Sequence, residues 1–452
     1  MASYAASFGA KDLTPDLISR AKEIVLDTIG AILLGSRPHY AGVRILADLA
    51  AGRSDAGGVT VFGRGFKSPF LDALLANGTM GYAADAEGAG ASRMHAAAVF
   101  VPTVLTAGEF VHASGREAIA ALCLAYDVAC RVSDAADPGS PYPHSFHPSA
   151  VFGHFGAAAA AGHLLKLDET QFINALGLAG INATGLIAWV DDPSEDSRPF
   201  VIGVAAQSGA RAALLARQGM GGPTRILDDA KYSIYDAFST EMHAERLLAG
   251  LGKEYRILDA GGYKQYPCCA DIHTGLDALL GIRARYQLAA DQIEQITHRV
   301  KPARLKVIDN NLLKSHNSQY IMSVAAVYGR VGPEDILVDR RSDPEVAKLY
   351  ERAVLAPDEG LTAVEDGSPA VVEVRLANGD SRRQRVDYAK GSRQNPFSRG
   401  ELEDKFMRWA TTAISERQAR RIVELTDRLD ELKDVGELTR LLAATRANGS
   451  KK

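Results

Sequence analysis

The chain has 452 residues, a formal net charge of −4 and four cysteines. This length suits two or three domains, each with its own hydrophobic core. The chain has no basic cluster interleaved with aromatic residues, which argues against nucleic acid as a partner. Four cysteines are too few for a disulfide framework, so we expect a reducing, cytoplasmic location.

The apolar segments give no sign of membrane association. The amino terminus has no basic stretch followed by an apolar core, and the longest apolar runs are alanine-rich and far shorter than a membrane span. We therefore expect no signal peptide and no membrane partner.

The first predicted element is an amphipathic helix over residues 14–35. Thr14 suits the cap and Pro15 the first position, and apolar residues recur every three or four positions. Similar alanine-rich patterns predict helices at 71–82, 101–111, 116–132, 153–165, 169–176 and 204–217. Small residues on these faces allow close helix packing, so we expect a large, layered helical domain.

A loop rich in glycine and alanine follows the second of these helices and carries Asp85, Glu87, Arg93 and His95. Small residues let a backbone approach a ligand closely. Asp85 and His95 could act as base and acid, each positioned group contributing roughly 10²–10⁴-fold in rate. The alternative is a flexible surface loop with solvated charges.

Two further histidines, His144 and His147, precede the alanine-rich helix at 153–165. Asp85, Glu87, His95 and His147 could in principle be assembled around a metal ion. The chain lacks the HxH, HExxH and CxxC spacings of metal sites, so we predict no metal.

The segment 263–273 brings Lys264, Cys268, Cys269 and His273 to the start of a predicted helix. Pro267 suits its first turn, so that Cys269 and His273 would share one face. A helix start beside a lysine attracts anions, and we expect a carboxylate or phosphate ligand. The alternative is a pair of buried cysteines and a solvated lysine.

Strand patterns appear after residue 262. The stretch 293–308 mixes helical and alternating patterns, and Asn378-Gly379 joins the runs 371–376 and 381–388 into a predicted hairpin. Helical patterns return at 401–406 and 419–442. We predict a mainly α protein in which residues 1–262 and 398–452 form a helical domain, residues 263–397 form an α+β lid domain, and the site lies between them.

Arg198 and Tyr320 lie in two further candidate segments, 197–200 and 316–320. Each segment precedes or opens a predicted helix and could place its arginine or tyrosine in the cleft. The alternatives are a salt-bridged arginine and a half-buried tyrosine.

Several short stretches along nearly the whole chain resemble the MmgE/PrpD family, which includes 2-methylcitrate dehydratase, cis-aconitate decarboxylase and iminodisuccinate epimerase. The resemblance depends on the order and spacing of these stretches together. They are Asp85 with His95, Phe146-His147-Pro148, Arg198-Pro199, Lys264 to His273, Ser318-Gln319-Tyr320, and Lys390-Gly391 to Asn395-Pro396 before Lys405-Phe406.

The resemblance implies a homodimer, a large helical domain built from both chain ends, a smaller α+β lid, and no iron–sulfur cluster or other cofactor. Family members act on small di- and tricarboxylates by moving a proton next to a carboxylate. Loss of water, loss of CO₂ or inversion follows. By position, the resemblance implies a site whose catalytic residues are Asp85, His95, Lys264, His273 and Tyr320 and whose substrate-binding residues are His147, Arg198 and Cys269.

The chain departs from the family pattern at three places. Members commonly have Asp-x-Asp-Asp-Thr where residues 85–89 read Asp-Ala-Glu-Gly-Ala. Arg198 stands where many members carry lysine, and Cys269 where the decarboxylases carry histidine. Arginine keeps the charge of lysine but offers a planar fork to a carboxylate.

The leading hypothesis is a cofactor-independent dehydratase acting on a hydroxy di- or tricarboxylate. In it His95, oriented by Asp85, is the acid or the base, and Tyr320 or His273 is the second proton-transfer group. The alternatives are an epimerase or racemase of a dicarboxylate or amino-dicarboxylate, a decarboxylase, an inactive carboxylate-binding relative, and a thiol enzyme that uses Cys269 with His273.

Overall fold

The computed structural model describes residues 1–53, 57–137, 145–192, 194–361, 364 and 367–443. His144 lies outside these residues. Within them the chain is mainly helical, with one small four-stranded sheet and a two-stranded ribbon, so the predicted fold class is confirmed.

Eleven helices and the ribbon precede residue 262 in the described ranges. They are α1 (Ala2–Ser7), α2 (Pro15–Gly35), α3 (Ala41–Ala51), β1 (Val59–Thr60), β2 (Lys67–Ser68), α4 (Phe70–Ala83), α5 (Ala96–Val111), α6 (Gly115–Ala135), α7 (Pro148–Leu164), α8 (Glu169–Gly180), α9 (Ser197–Arg217), α10 (Ile234–Phe238) and α11 (Ala244–Leu248).

The remaining elements follow residue 262. They are α12 (Ala270–Tyr286), β3 (Ile293–Val300), α13 (Pro302–Ile308), α14 (Ser318–Tyr328), α15 (Pro333–Leu337), α16 (Pro344–Tyr350), β4 (Ala353–Pro357), β5 (Ala370–Leu376), β6 (Ser381–Val386), α17 (Arg399–Ala410), α18 (Glu416–Asp427) and α19 (Gly436–Leu442).

Helix α2 begins and ends as its sequence predicts. The Thr14 hydroxyl accepts a hydrogen bond from the Leu17 N–H at 3.3 Å, and Pro15 occupies the first helical position. The second half of α2 is buried on every side and packs against α4 and α17.

Small residues allow the helices of the first part to pack closely. A Cβ at Gly203 of α9 would lie 2.2 Å from the Thr79 hydroxyl of α4, and one at Gly209 would lie 2.4 Å from the His154 carbonyl of α7. Helix α9 is long and apolar enough to cross a membrane, but 61% of its most apolar window is buried against its neighbours. The absence of a membrane partner stays a prediction.

The four-stranded sheet has the order β4-β3-β5-β6. Strands β3 and β4 run parallel, and the other neighbours are antiparallel. Gly379 has a φ of 89°, the positive value that the β5–β6 turn requires, so the predicted hairpin is confirmed. Helix α12 covers β5 and β6.

The buried apolar residues form two separate cores. One extends from Ala5 to Tyr263 and resumes from Leu402 to Leu442, so both chain ends share it. The other extends from Tyr266 to Leu376 and joins the sheet to α12 and α14. The boundaries drawn at residues 263 and 398 stay predictions.

The helices predicted to begin at 101, 153 and 204 begin five to seven residues earlier, and two further predicted limits are wrong because distant parts of the chain compete. Helix α12 begins at Ala270, because Cys269 has a non-helical ψ of 130° and its N–H donates to the Ser315 carbonyl at 2.9 Å, which leaves Pro267 outside the helix. The stretch 419–442 forms two helices, because the segment between them bonds to the α5–α6 connection through Leu432 and Val435.

A buried ion pair joins the two ends of the chain. Lys405 of α17 donates to the carboxylate of Asp27 in α2, and both side chains are at most 3% exposed. The second Asp27 oxygen accepts from the Gly88 N–H at 2.8 Å, and Lys405 also reaches the Ala86 carbonyl at 3.3 Å. The pair therefore fixes the loop between α4 and α5.

We predict that Lys405→Met lowers the free energy of unfolding by about 3–5 kcal/mol, because it leaves the Asp27 charge buried without its partner. Urea-induced unfolding measures this cost. The matched control is Arg420→Met, which breaks an exposed ion pair with Glu416 and should cost about 1 kcal/mol or less. Equal costs for the two variants would contradict the assigned role of the buried pair.

Candidate active site

Helix starts supply most of the candidate site residues. His95, His147 and Cys269 are the N-cap residues of α5, α7 and α12. Arg198 is the second residue of α9, and His316 immediately precedes the N-cap of α14. Helix N-termini carry a partial positive charge, so this construction favours an anionic ligand.

The loop between α4 and α5 is a buried, constrained part of the site. Asp85 and Glu87 are 2% and 1% exposed, so the alternative of a flexible surface loop is wrong. Asp85 has a φ of 50°, a left-handed conformation that is uncommon outside glycine. A Cβ at Gly88 would lie 2.4 Å from the Tyr263 Cα, so the small residue there admits another part of the chain rather than a ligand.

Asp85 lies between two buried cations. Lys264 donates to its side chain at 2.5 Å and to its carbonyl at 3.1 Å, and an Arg198 nitrogen lies 3.6 Å from the same side-chain oxygen. Burial opposes ionisation of Asp85, but Lys264 and Arg198 outweigh it and hold the pKa of the carboxyl below its ordinary value. The structure therefore brings Asp85, Lys264 and Arg198 together.

The guanidinium of Arg198 is fully buried yet incompletely bonded. It lies over the Tyr82 ring, 4.4 Å from the centroid, and its Nη2 lies 3.7 Å from Glu195. Its Nε and Nη1 make no hydrogen bond to any described residue. Buried donors without hydrogen bonds are costly, and an anionic ligand such as a carboxylate would supply the missing acceptor.

The carboxylate that contacts His95 is that of Glu87, whereas the sequence suggested that of Asp85. Glu87 Oε1 lies 2.7 Å from His95 Nδ1. The Tyr82 hydroxyl lies 3.1 Å from Nε2, and the Ser149 hydroxyl accepts from the His95 backbone N–H at 2.8 Å. Glu87 therefore sets the orientation of the ring, with Nε2 on the opposite side.

Aromatic rings continue from His95 into the site. The His147 centroid lies 5.8 Å from that of His95, Trp189 lies 5.9 Å from His147, and His316 lies 6.3 Å from Trp189. Burial lowers the pKa of His147 well below its ordinary value and that of His316 to about 3. Both imidazoles are therefore neutral at physiological pH in this arrangement.

A contact between the lid and the helical part surrounds His316. Glu195, which precedes α9, accepts from the Ser315 N–H at 3.1 Å and from its hydroxyl at 2.9 Å. The same hydroxyl lies 2.9 Å from His316 Nδ1. Glu195 has a φ of 63°, so the contact is made from a left-handed backbone.

Cys269 and His273 do not form a thiol–imidazole pair in the described structure. His273 Nε2 donates to the Cys268 carbonyl at 3.2 Å, and burial lowers the pKa of His273 to about 3. Burial raises the pKa of the Cys269 thiol above its ordinary value, the opposite of what a nucleophilic cysteine needs. These contacts speak against the thiol-enzyme alternative.

The structure does not bring the Tyr320 hydroxyl to the other candidates. That hydroxyl donates to the Asp335 carbonyl and accepts from the Arg340 N–H at 3.0 Å, both within the lid. Tyr320 belongs to the core of the lid, and burial raises the pKa of its hydroxyl to about 12. These bonds leave no proton on Tyr320 directed at the site.

A cavity of about 400 Å³ adjoins the cluster between the loop and the lid. Its lining includes Glu87, His95, Lys264 and His273, together with the lid segment 388–392. Asp85, Arg198 and His147 lie outside its lining, but Asp85 and Arg198 pair with each other next to Lys264, and His147 stacks on His95. A volume of this size suits a small-molecule ligand.

Potential ligand atoms of Asp85, Glu87 and His95 lie within 4.8 Å of one another, a spacing compatible with a metal ion. The Lys264 ammonium is 2.5 Å from Asp85, and its positive charge would repel a cation there. We interpret the three side chains as an ion-pair and proton-transfer network. The expected absence of a metal stays a prediction.

Sequence reasoning missed the roles of Glu87, Glu195, Ser315 and His316. Glu87 and His316 lie in segments that the sequence marked as candidates, but the sequence pattern did not indicate which residues they contact. Glu195 and Ser315 are 120 residues apart, and no local signal reports such a contact.

Comparison with protein families and characterised proteins gives consistent matches. Residues 1–246 match the MmgE/PrpD N-terminal domain, and residues 266–431 match the MmgE/PrpD C-terminal domain. The chain is 25% identical to cis-aconitate decarboxylase of Mus musculus over 447 residues, covering 95% of this chain and 90% of that protein. It is 26% identical to 2-methylcitrate dehydratase of Cupriavidus necator over 218 residues, covering 46% of this chain and 44% of that protein.

We predict that iodoacetamide at pH 8 labels Cys269 only slowly in the folded protein, because burial raises the pKa of the thiol and only the thiolate reacts. Mass spectrometry of the digested protein measures the labelling. The same protein in urea, where every cysteine should react, is the control. Rapid labelling of Cys269 in the folded protein would revive the thiol-enzyme alternative.

Proposed function

Because the chain belongs to the MmgE/PrpD family, we propose that it is a cofactor-independent lyase that removes water from a small hydroxy di- or tricarboxylate. The carrying observation is the position of His95, held by Glu87, beside the buried cations Lys264 and Arg198. This reaction requires both proton transfer and fixed positive charge.

The chemistry explains why both are needed. Removing a proton next to a carboxylate places a second negative charge on the substrate as an enolate-like state forms. Lys264 and Arg198 supply positive charge that is already oriented, and Asp85 and Glu87 favour the protonated form of Lys264 by raising its pKa. The site therefore does not need to reorganise as charge develops.

Arg198 supports a substrate that carries more than one carboxylate. Its Nε and Nη1 are buried donors without hydrogen-bond partners among the described residues, and Lys264 lies on the other side of Asp85. Each charge-assisted hydrogen bond to a carboxylate contributes about 1.5–3 kcal/mol. Two buried cations beside the same Asp85 oxygen can meet two anionic groups of one small molecule.

A decarboxylase is the second candidate. The Mus musculus cis-aconitate decarboxylase aligns with 95% of this chain, whereas the Cupriavidus necator 2-methylcitrate dehydratase aligns with 46%. We place dehydration first because Cys269 stands where the decarboxylases carry histidine. The products distinguish the two reactions, because decarboxylation releases CO₂ and dehydration gives an alkene without CO₂.

We further propose that the protein is a cytoplasmic homodimer. Apolar side chains at Ile181, Leu186 and Phe200, between the end of α8 and the first turn of α9, are 43–60% exposed, as at surfaces that bind another chain. We predict that sedimentation velocity at micromolar concentration gives twice the mass of one chain. A single species with the mass of one chain would contradict this.

We predict that citrate, 2-methylcitrate, cis-aconitate, malate or aspartate raises the unfolding temperature, since binding to the native state stabilises it. The stabilising compounds are then incubated with the protein in D₂O and followed by proton NMR. We expect an alkene from a hydroxy acid, and its absence with His95→Ala, which should bind without turnover.

Other outcomes identify the alternatives. Deuterium at the carbon next to the carboxylate without an alkene indicates an epimerase or racemase. CO₂ release indicates a decarboxylase. Tight binding with neither exchange nor turnover indicates an inactive carboxylate-binding relative, and full turnover by His95→Ala would contradict the role of His95.

A further inference from the structure

Dehydration needs two proton-transfer groups, one to remove a proton from carbon and one to give a proton to the leaving hydroxyl. His95 is one of them. Tyr320 donates its proton to the Asp335 carbonyl, and His273 Nε2 donates to the Cys268 carbonyl. Tyr320 therefore has no proton directed at the site, and His273 keeps only its Nδ1 unbonded to the described residues.

His316 is bonded in a way that fixes the position of its proton. The Ser315 hydroxyl has a single hydrogen, which it donates to the Glu195 carboxylate at 2.9 Å. Its oxygen can therefore only accept from His316 Nδ1, 2.9 Å away, and Nδ1 carries the hydrogen. In the neutral ring, Nε2 is then the basic nitrogen.

Nε2 of His316 makes no hydrogen bond to the part of the chain that the structure describes. The charged and titratable groups around the ring are Asp85, Arg198, Lys264, His95 and His147, together with Glu195 behind Ser315. The ring thus lies beside the same charges as His95, although it does not line the cavity of about 400 Å³. It approaches these charges from the lid, whereas His95 belongs to the helical part.

We propose that His316 is the base that removes the proton next to the substrate carboxylate and that His95 is the acid that protonates the leaving hydroxyl. This assignment rests on the proposed function. Glu195 and Ser315 are positioning residues that act through His316, and Glu87 is the positioning residue of His95.

The partners of the two rings account for the division of roles. Nδ1 of His95 faces a carboxylate, the kind of partner that stabilises an imidazolium, whereas Nδ1 of His316 faces a neutral hydroxyl. Burial lowers the pKa of His316 to about 3, so the free ring is neutral and its Nε2 carries no proton. The negative charge of a bound dicarboxylate favours the protonated ring that results.

The step balances as follows. The carbon–hydrogen bond breaks, its proton goes to His316 Nε2, and its electron pair moves into the neighbouring carboxylate as the enolate-like state forms. The pair then returns to form the carbon–carbon double bond. The carbon–oxygen bond breaks as the hydroxyl takes the Nε2 proton of the His95 imidazolium and leaves as water. His316 then loses one proton to solvent and His95 gains one, which restores the site.

Two variants separate the roles. His316→Asn keeps an amide N–H in place of Nδ1–H for Ser315 and removes Nε2, and His95→Asn does the same for Glu87. In D₂O, with the hydroxy acid that the wild type dehydrates, His95→Asn should still exchange the proton next to the carboxylate without forming alkene. His316→Asn should lose both exchange and elimination by about 10²–10⁴-fold.

His298→Asn is the matched control. His298 is also a buried lid histidine whose Nδ1 meets a serine hydroxyl, that of Ser318 at 2.8 Å, but burial is the only influence that shifts its pKa. It should keep wild-type exchange and turnover once folding is verified by circular dichroism. Added imidazole should partly restore proton exchange to a His316→Gly variant. It should not restore elimination to His95→Asn.

Ser315→Ala and Glu195→Gln test the positioning residues. We expect kcat to fall by about tenfold, the effect of one hydrogen bond, with little change in KM. In Ser315→Ala the acidic limb of the plot of kcat/KM against pH should move, because the proton on His316 Nδ1 loses its hydrogen-bond acceptor. An unchanged limb would show that the serine has only a structural role.

The outcomes also separate this assignment from the proposed function. A wild type that neither exchanges nor dehydrates any of the carboxylates overturns the proposed function. A wild type that is active while His316→Asn keeps exchange overturns only the assignment of the base. Exchange that persists in His316→Asn and vanishes in His95→Asn would reverse the two roles.

Discussion

The buried ion pair between Lys405 and Asp27 is the constraint on which the site depends. It joins a helix near the end of the chain to one near its beginning, within the core that both ends share. Asp27 also holds the Gly88 N–H and Lys405 the Ala86 carbonyl, so the pair clamps the backbone on both sides of Glu87. These hydrogen bonds offset only part of the desolvation cost, because burial still raises the pKa of Asp27 and lowers that of Lys405.

The fixed loop between α4 and α5 explains how two buried carboxylates are kept beside different partners. Asp85 adopts a left-handed backbone that directs its carboxylate to Lys264 and Arg198, while Glu87, two residues later, reaches His95. Each carboxylate therefore has its own partner. The lid adds Lys264 and His316 to this arrangement, so the complete cluster exists only when the two parts of the chain meet.

Sequence reasoning succeeded where the signal was local. The period of α2, its Thr14 cap and the Asn378-Gly379 turn depend on residues close in the chain, and the structure contains all three elements. The candidate residues Asp85, Lys264 and Arg198 were recognised from their segments, and the structure places them in contact.

The failures share a different cause, which is competition by distant partners. Pro267 seemed a good helix start, but the Ser315 carbonyl takes the Cys269 N–H and delays α12 to Ala270. Asp85 and Glu87 are equally plausible partners for His95 by spacing, and only the conformation of the loop decides between them. The hydroxyl of Tyr320 is engaged by Asp335 and Arg340 of the lid, contacts that no sequence pattern reports.

The most direct test of the central claim is a crystal structure with tricarballylate, a tricarboxylate that lacks a hydroxyl to eliminate. The account predicts one carboxylate within hydrogen-bond distance of Arg198 and another near Lys264, with the carbon chain between His95 and His316. Tricarballylate bound away from these four residues would contradict it.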